Sequence, residues 1–231
     1  HDSIEEAILF HSGAEVGQGA HTVFTQMAAD ALNISADRVK LVLSDTGFTD
    51  DAGSASASRM TFMAGNSIKG AAELAIQNWE KEERPAIGYY DYLSPKTTPY
   101  HPETGDCNPN FSYGYVAEAV EIKLDIQTGQ LEVQNITCSD DVGKAINPIQ
   151  VEGQIEGALI QALGYGLMEN FIQKDGKVLT KKFSTYLIPT ALDIPDRIDT
   201  RILEIPDPVG PWGARGVGEM PFIPLAPALN S

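Results

Sequence analysis

Cysteine is scarce in this chain. Only Cys107 and Cys138 occur, too few for a disulfide framework, and neither stands in a CxxC or Cys/His spacing that would ligate a metal. A reduced, cytoplasmic setting is therefore expected. Long apolar runs are missing too: no stretch approaches eighteen apolar residues, so no membrane-spanning helix is expected. The opening residues His1, Asp2 and Ser3, followed by Glu5 and Glu6, carry neither the basic nor the apolar region of a secretion signal. Basic residues are outnumbered, sixteen Lys and Arg against thirty-two Asp and Glu, for a net charge of -16. Such a field repels polyanions, which sets aside nucleic acid and anionic lipid as partners.

What is present is enough to fold. With 42% of its 231 residues hydrophobic, the chain can bury one sizeable core or two small lobes sharing an interface. Residues 4–12 read as a strand, a glycine-punctuated stretch follows, and Val23, Phe24, Met27, Ala28 and Ala31 lie at helical spacing over 22–32. Val39, Leu41 and Leu43 mark a second strand, and residues 60–79 a long helix. Residues 81–110 hold prolines and aromatics without a sustained period, which suggests an excursion or a crossing between lobes. Residues 113–124 and 131–138 flank a turn with Thr128 and Gly129, so a β-hairpin is predicted. A helix is expected from Pro148 to about Met168, a small hairpin of 171–172 with 178–179 around Asp175 and Gly176, and a strand over 198–205. A last helix would start near Pro221 and still be running at Ser231. The expected fold is α+β, with mixed sheets packed on long helices. Its lobes are 1–80 and 113–231, with 81–112 as the excursion.

Three loops carry chemical possibilities. Gly13–Gly19 joins a strand to a helix with glycines that let a ligand approach the backbone, a pattern suited to an anion or a dinucleotide. It is neither GxGxxG nor a P-loop, and a plain tight turn serves equally. Gly53–Arg59 offers hydroxyls, helix N-terminal amides and a cation together, a combination suited to phosphate. Ser58 as a simple N-cap and Arg59 as a surface residue explain that loop as well. In the run 210–221, four glycines crowd Glu219. Beside Val217, Met220 and Phe222 that carboxylate would be partly desolvated and its pKa raised toward the range of a general base. The plainer reading is a glutamate answering a helix dipole.

Taken in order, GAEVGQG at 13–19, GSASASR at 53–59, DVGKAINP at 141–148, EGQIEGALIQALGYGLMEN at 152–170 and GARGVGE at 213–219 resemble the second molybdopterin-binding domain of the molybdenum hydroxylases, the xanthine dehydrogenase and aldehyde oxidase family. The likeness runs over nearly the whole chain, and the set is far more specific than any one member.

The resemblance implies that Gln18, flanked by Gly17 and Gly19, and Gln154 hydrogen-bond the pterin; amides suit a heterocycle edge with both donors and acceptors. It implies that Ser56, Ala57, Ser58 and Arg59 form the turn near the metal and its phosphate, and that Gly218 and Glu219 bring a general base beside molybdenum. No protein ligand to the metal is implied, because the pterin dithiolene holds it. The expected cofactor is molybdopterin, free or as its dinucleotide, with iron–sulfur clusters and FAD only on other domains or subunits. The expected reaction is hydroxylation of an aldehyde or aromatic heterocycle with water as oxygen source. A preceding molybdopterin-binding domain has no counterpart in these residues, so the chain is expected to be an excised or naturally split piece, inactive alone. Expected partners are that domain, iron–sulfur and flavin components, and a small-molecule substrate whose identity is unreadable here. Two other classes stay open: a non-catalytic interaction or assembly domain, and a nucleotide-binding module using 53–59.

Overall fold

The computed structural model describes residues 3–231; His1 and Asp2, part of the N-terminal reading above, lie outside the described residues. The chain divides into two compact units. Unit 1 holds the residues up to Tyr113 with Val142–Asn147 and Glu204–Gly216. Unit 2 holds Gly114–Asp141, Pro148–Leu203 and Val217–Ser231.

Unit 1 begins with β1 (Ala7–His11), α1 (Ala20–Leu32) and β2 (Val39–Leu43), and β1 pairs parallel with β2. Parallel neighbours need a crossover, which α1 supplies. This helix starts after Gly19 in the left-handed region and stops at Asn33, also left-handed (φ 52), whose amide returns to Ala29 and Asp30 carbonyls. The first strand is shorter than the expected 4–12, because the amide of Gly13 turns onto Nδ1 of His11 and closes the chain into the loop. The buried stripe of α1, with Phe24, Met27 and Ala28, meets Ala64 and Ile68 of α2 (Met60–Glu80). Burying Phe24 and Met27 contributes roughly 2–3 kcal/mol each.

The expected crossing segment is instead a strap laid along α2. Ser67 donates to the Tyr90 carbonyl, Asn78 donates to that of Ile87, and Phe62 stacks obliquely against Phe111 at 5.2 Å. Gly88 lies so close to α2 that a Cβ there would stand 1.9 Å from the Ala71 carbonyl oxygen. The lobe boundaries differ from the expected ones for a similar reason. Val142–Asn147 and Glu204–Gly216 are tied to each other by Arg215 N–H to Val142 O, Lys144 N–H to Gly213 O and the Lys144–Glu204 ion pair. Asn66 of α2 holds Val209, and Gly65 leaves the space that Pro211 fills.

One carboxylate organises this segment. Asp207, 6% exposed, accepts from Ser112 Oγ and the amides of Val209 and Gly210, and pairs with Arg215 Nε at 3.1 Å. Burial opposes its ionisation, but Ser112, the amides and Arg215 outweigh burial and hold it below the usual carboxylate range.

Unit 2 is a three-stranded sheet in the order β3 (Tyr115–Leu124), β4 (Leu131–Asp141), β7 (Arg197–Leu203), antiparallel in the first pair and parallel in the second. Asp125 closes the predicted hairpin by accepting from Gln127 and Thr128 amides. The inward face carries Val116, Val120, Ile136 and Cys138, covered by Ile155, Leu159, Ala162 and Leu163 of α3 (Pro148–Leu167) and by Leu225 and Leu229 of α4 (Phe222–Leu229). The small hairpin pairs β5 (Gln173–Lys174) with β6 (Lys177–Val178), nearer its turn than expected, and Leu179 N–H to Ile172 O extends it. Helix α4 does not run to the last residue. It closes at Leu229, with the Asn230 side chain donating to the Ala226 carbonyl. The α+β architecture thus stands, with a parallel pair, a mixed sheet and four helices among the described residues.

Two acids face this apolar core. Asp140 is fully buried, and neither its oxygens nor those of Glu118 complete a hydrogen bond; the Cys138 thiol lies beside Glu118 without good geometry for one. Burial pushes both up to about 7, aided by Asp140 at Glu118 and by Asp141 at Asp140. Because the folded values exceed the unfolded ones, the fold is favoured below about pH 4 and loses stability as pH rises through about 7.

Two outcomes are expected. Asp140→Asn raises the unfolding free energy measured in urea at pH 8 by on the order of 2 kcal/mol and leaves it unchanged at pH 4; equal effects at both would refute the buried-acid account. Asp207→Ala removes the carboxylate that pairs with Arg215 and gathers Ser112, Val209 and Gly210, and lowers stability to urea by about 3–5 kcal/mol, far more than Glu204→Ala at the exposed pair with Lys144.

Candidate functional site

The first loop is folded on itself. Glu15 Oε1 accepts from the amides of Gly17 (2.8 Å) and Gly19 (2.9 Å), and Oε2 from that of His21 (3.1 Å). Partial burial opposes the charge, but the Gly19, His21 and Gly17 amides prevail and hold this carboxyl below its ordinary range. The expectation that these amides await an anion is corrected: the chain's own carboxylate is already there. Gln18 is likewise engaged, its Oε1 accepting from Val16 N (2.7 Å) and its Nε2 donating to Ala14 O (2.8 Å). One amide hydrogen and one lone pair of Gln18 remain for a ligand. Below the loop, burial and then His21 depress the pKa of His11, consistent with a neutral ring accepting the Gly13 amide at Nδ1. Gly13 itself cannot be larger, since a Cβ would lie 2.8 Å from the His11 ring and 2.9 Å from Phe24.

The second loop is strained. Ala57 (φ 54) and Ser58 (φ 52) are consecutive left-handed residues with side chains, each costing about 1–2 kcal/mol in that region. Ser58 is therefore not a conventional N-cap; Arg59 precedes α2 and no side chain caps it. Nor does the Arg59 guanidinium stand free for phosphate: Nε donates to the Ser54 carbonyl (3.0 Å) and Nη2 to that of Ala52 (3.4 Å). Ser54 and Ser56 share a hydroxyl–hydroxyl bond of 2.8 Å. The turn is held from outside by Gly216, where a Cβ would fall 1.6 Å from the Ser58 carbonyl oxygen. Only glycine permits that approach.

The third run spans both units, with residues through Gly216 in unit 1 and from Val217 onward in unit 2. In unit 2, Gly218 is left-handed (φ 48), Met220 N–H returns to Val217 O, and Phe222 N–H to Glu219 O, so Glu219 sits in the turn that launches α4. Met220 is seated on Gly114, whose missing side chain leaves room for the thioether. Glu219 is exposed, so the partial desolvation expected from Val217, Met220 and Phe222 is not supplied here; those side chains turn to the core or to Gly114 instead. Gln154 is half-buried in the second turn of α3. A groove of about 770 Å³ begins beside it at Gly153 and Gly157 and runs to Ile188, Pro189 and Ile198.

The structure thus brings the second loop against Gly216 within unit 1 and sets Gln154, Gly218 and Glu219 in unit 2. Glu15 and Gly216 were not singled out as site-shaping in the sequence. An acid just ahead of a helix start was the available signal for Glu15. Among the described residues no group of three His, Cys, Asp or Glu could hold a metal ion, and no helix is long and apolar enough to cross a membrane.

Comparison with known proteins gives this geometry a setting. The sequence matches the family described as Molybdopterin cofactor-binding domain over residues 5–88 and 76–195, which include Gln18, Ser56–Arg59 and Gln154 but end before Gly218 and Glu219. It is 32% identical to an aldehyde oxidoreductase of Megalodesulfovibrio gigas over 93% of this chain and 25% of that protein. It is 28% identical to a putative xanthine dehydrogenase molybdenum-binding subunit of Escherichia coli, over 97% of this chain and 34% of that one. The crystal structure of the aldehyde oxidoreductase from Desulfovibrio desulfuricans superposes with a TM-score of 0.80 at 31% identity, covering 93% of this chain and 25% of the other. The chain thus spans about a quarter to a third of the length of these relatives. With family match, relatives and fold in agreement, this chain belongs to the molybdopterin cofactor-binding domains of the xanthine dehydrogenase and aldehyde oxidoreductase family.

Proposed function

We propose that this chain carries catalytic and cofactor-holding residues of a cytoplasmic molybdenum hydroxylase acting on an aldehyde or an aromatic heterocycle. The observation that carries the reading is the strained Ala57–Ser58 turn locked by Gly216. Backbone strain of this kind concentrates at ligand clamps, and a turn with no ligand to shape would relax by placing glycine at 57 or 58.

The residues fit the group. Gln18 keeps one donor and one acceptor in a pinned amide, Ser56 and Ser58 add hydroxyls at the strained turn, Gly17 has open space around its Cα, and Gln154 adds a second amide. When bound, the cofactor supplies a redox-active metal and a sink for two electrons. Glu219 acts as general base, and its exposure in this chain leaves its desolvation to groups outside these residues. A preceding molybdopterin-binding domain is the partner this reading calls for, with iron–sulfur and flavin components as the electron path. Half-exposed Ile8 and Phe10 on the outer face of the two-stranded β1–β2 sheet support such a partner, because parallel sheets are ordinarily covered on both faces.

In the complete enzyme, Glu219→Gln lowers turnover per bound molybdenum by about 10²- to 10⁴-fold without lowering molybdenum content, while Gln18→Ala lowers content and leaves turnover per molybdenum nearly unchanged. Turnover within a few-fold of wild type in Glu219→Gln overturns the assignment. Absence of stoichiometric molybdenum in the wild-type enzyme favours the non-catalytic alternative.

Gly216→Ala must displace the Ser58 carbonyl, so cofactor content falls several-fold while circular dichroism retains the helical signal. Unchanged content would show that the 56–59 turn is not a cofactor contact.

A further inference from the structure

Glu15 lies outside the residues to which the family resemblance assigns a role, yet it makes three of the hydrogen bonds that shape the first loop. Its two oxygens take the amides of Gly17, Gly19 and His21. Gly17 and Gly19 flank Gln18 on either side, and both have positive φ, +103° and +83°. Their amides meet one carboxylate at two positions where the chain is left-handed, a conformation glycine adopts without strain. The backbone of Gln18 is thereby fixed before and after the residue, and its side chain is fixed by Ala14 and Val16.

The arrangement also settles the electrostatics of the α1 N-terminus. A helix start carries roughly half a positive charge on its unsatisfied amides and attracts an anion. Here a full negative charge from the same chain is bonded to one amide of the first helical turn, that of His21, and to the Gly19 and Gly17 amides just ahead of it, and it remains ionised at neutral pH because these amides hold its proton affinity down. What the loop offers a ligand is a neutral amide next to a net negative charge. A phosphate there would meet like charge and would have to break three charge-assisted hydrogen bonds.

We propose that Glu15 is a positioning residue, acting through Gln18: its carboxylate closes the start of α1 to phosphate and presets the Gln18 amide for a neutral heterocycle edge. This inference rests on the cofactor-holding reading for its biological meaning, but not for its geometry. It divides labour between the two loops of unit 1: the 13–19 loop recognises ring edge and refuses phosphate, which leaves phosphate to the hydroxyl-bearing turn at 56–58.

The test uses the full chain labelled with ¹⁵N, and inorganic phosphate as the probe. In wild type, the Gly17, Gly19 and His21 amide resonances move together as pH falls, with a common midpoint below the ordinary glutamate value, and they do not respond to phosphate at neutral pH. In Glu15→Gln, which is nearly isosteric and keeps the fold, that common titration disappears. In Glu15→Ala, the three amides respond saturably to phosphate, and the Gln18 side-chain amide exchanges with solvent about five- to tenfold faster. A wild-type loop that responds to phosphate overturns the proposal. So does a common titration that persists in Glu15→Gln, or Gln18 exchange unchanged in Glu15→Ala. Pterin content of the wild-type complete enzyme, read from the fluorescence of its oxidised extract, is measured in parallel. An absent pterin defeats the cofactor reading while the loop result stands or falls alone.

Discussion

Asp207 is the point on which the geometry of unit 1 turns. A single carboxylate, nearly sealed from water, gathers a serine hydroxyl from the end of the strap, two amides of the 207–210 turn and the guanidinium of Arg215. Each of these contacts constrains a different piece of chain, and a buried charge tolerates none of them being loose. The result is that Pro211 drops into the space beside Gly65 and that Gly216 arrives against the Ser58 carbonyl. Strain at Ala57 and Ser58 persists because the surroundings over-determine it. The chain of cause therefore runs from a structural ion pair, through two glycine contacts, to the turn proposed to meet the cofactor.

Charge is spent locally throughout the candidate site. Glu15 neutralises the start of α1, and Arg59 is drawn back onto the carbonyls of Ala52 and Ser54. An isolated reading of either residue assigns it to a ligand, because a cation near serines and a glycine loop before a helix are both anion signals. Once short-range hydrogen bonds are counted, the first loop offers an amide and the second a strained backbone with hydroxyls. Neither offers a free cation, and the first adds the Glu15 carboxylate, so hydrogen-bond pattern and shape do most of the discriminating there.

Unit 2 shows a different economy. Its apolar core takes in Glu118 and Asp140, which burial pushes up to about 7 because water is excluded. The same sheet offers Gly114 as a seat for Met220, one residue past Glu219. The position of the proposed base thus depends on side chains that bury themselves in the hairpin sheet, while the base itself faces solvent. A flexible thioether in a glycine-made space is an adaptable anchor.

Helical periodicity in 20–32, 60–80 and 148–167, the Asp125 turn between β3 and β4, and the positive-φ pair Asp175–Gly176 all depend on contacts within a few residues, and all were legible in the sequence. So were the family and the loops that mark it, because those loops are contiguous runs. The course of residues 81–112 was not, since a strap without a period is placed by long-range hydrogen bonds to α2 that leave no local pattern. Nor was the membership of 142–147 and 204–216 in unit 1, the inward turn of Arg59 or the exposure of Glu219. By itself the sequence determined the elements and the chemistry available at each loop, because backbone propensity and turn chemistry act over short range. Only the tertiary structure decided which of those groups remain available to a ligand, because a loop of given composition can turn its polar groups onto its own near neighbours, as Glu15 and Arg59 do, and because contacts such as Gly216 on Ser58 join residues far apart in the sequence.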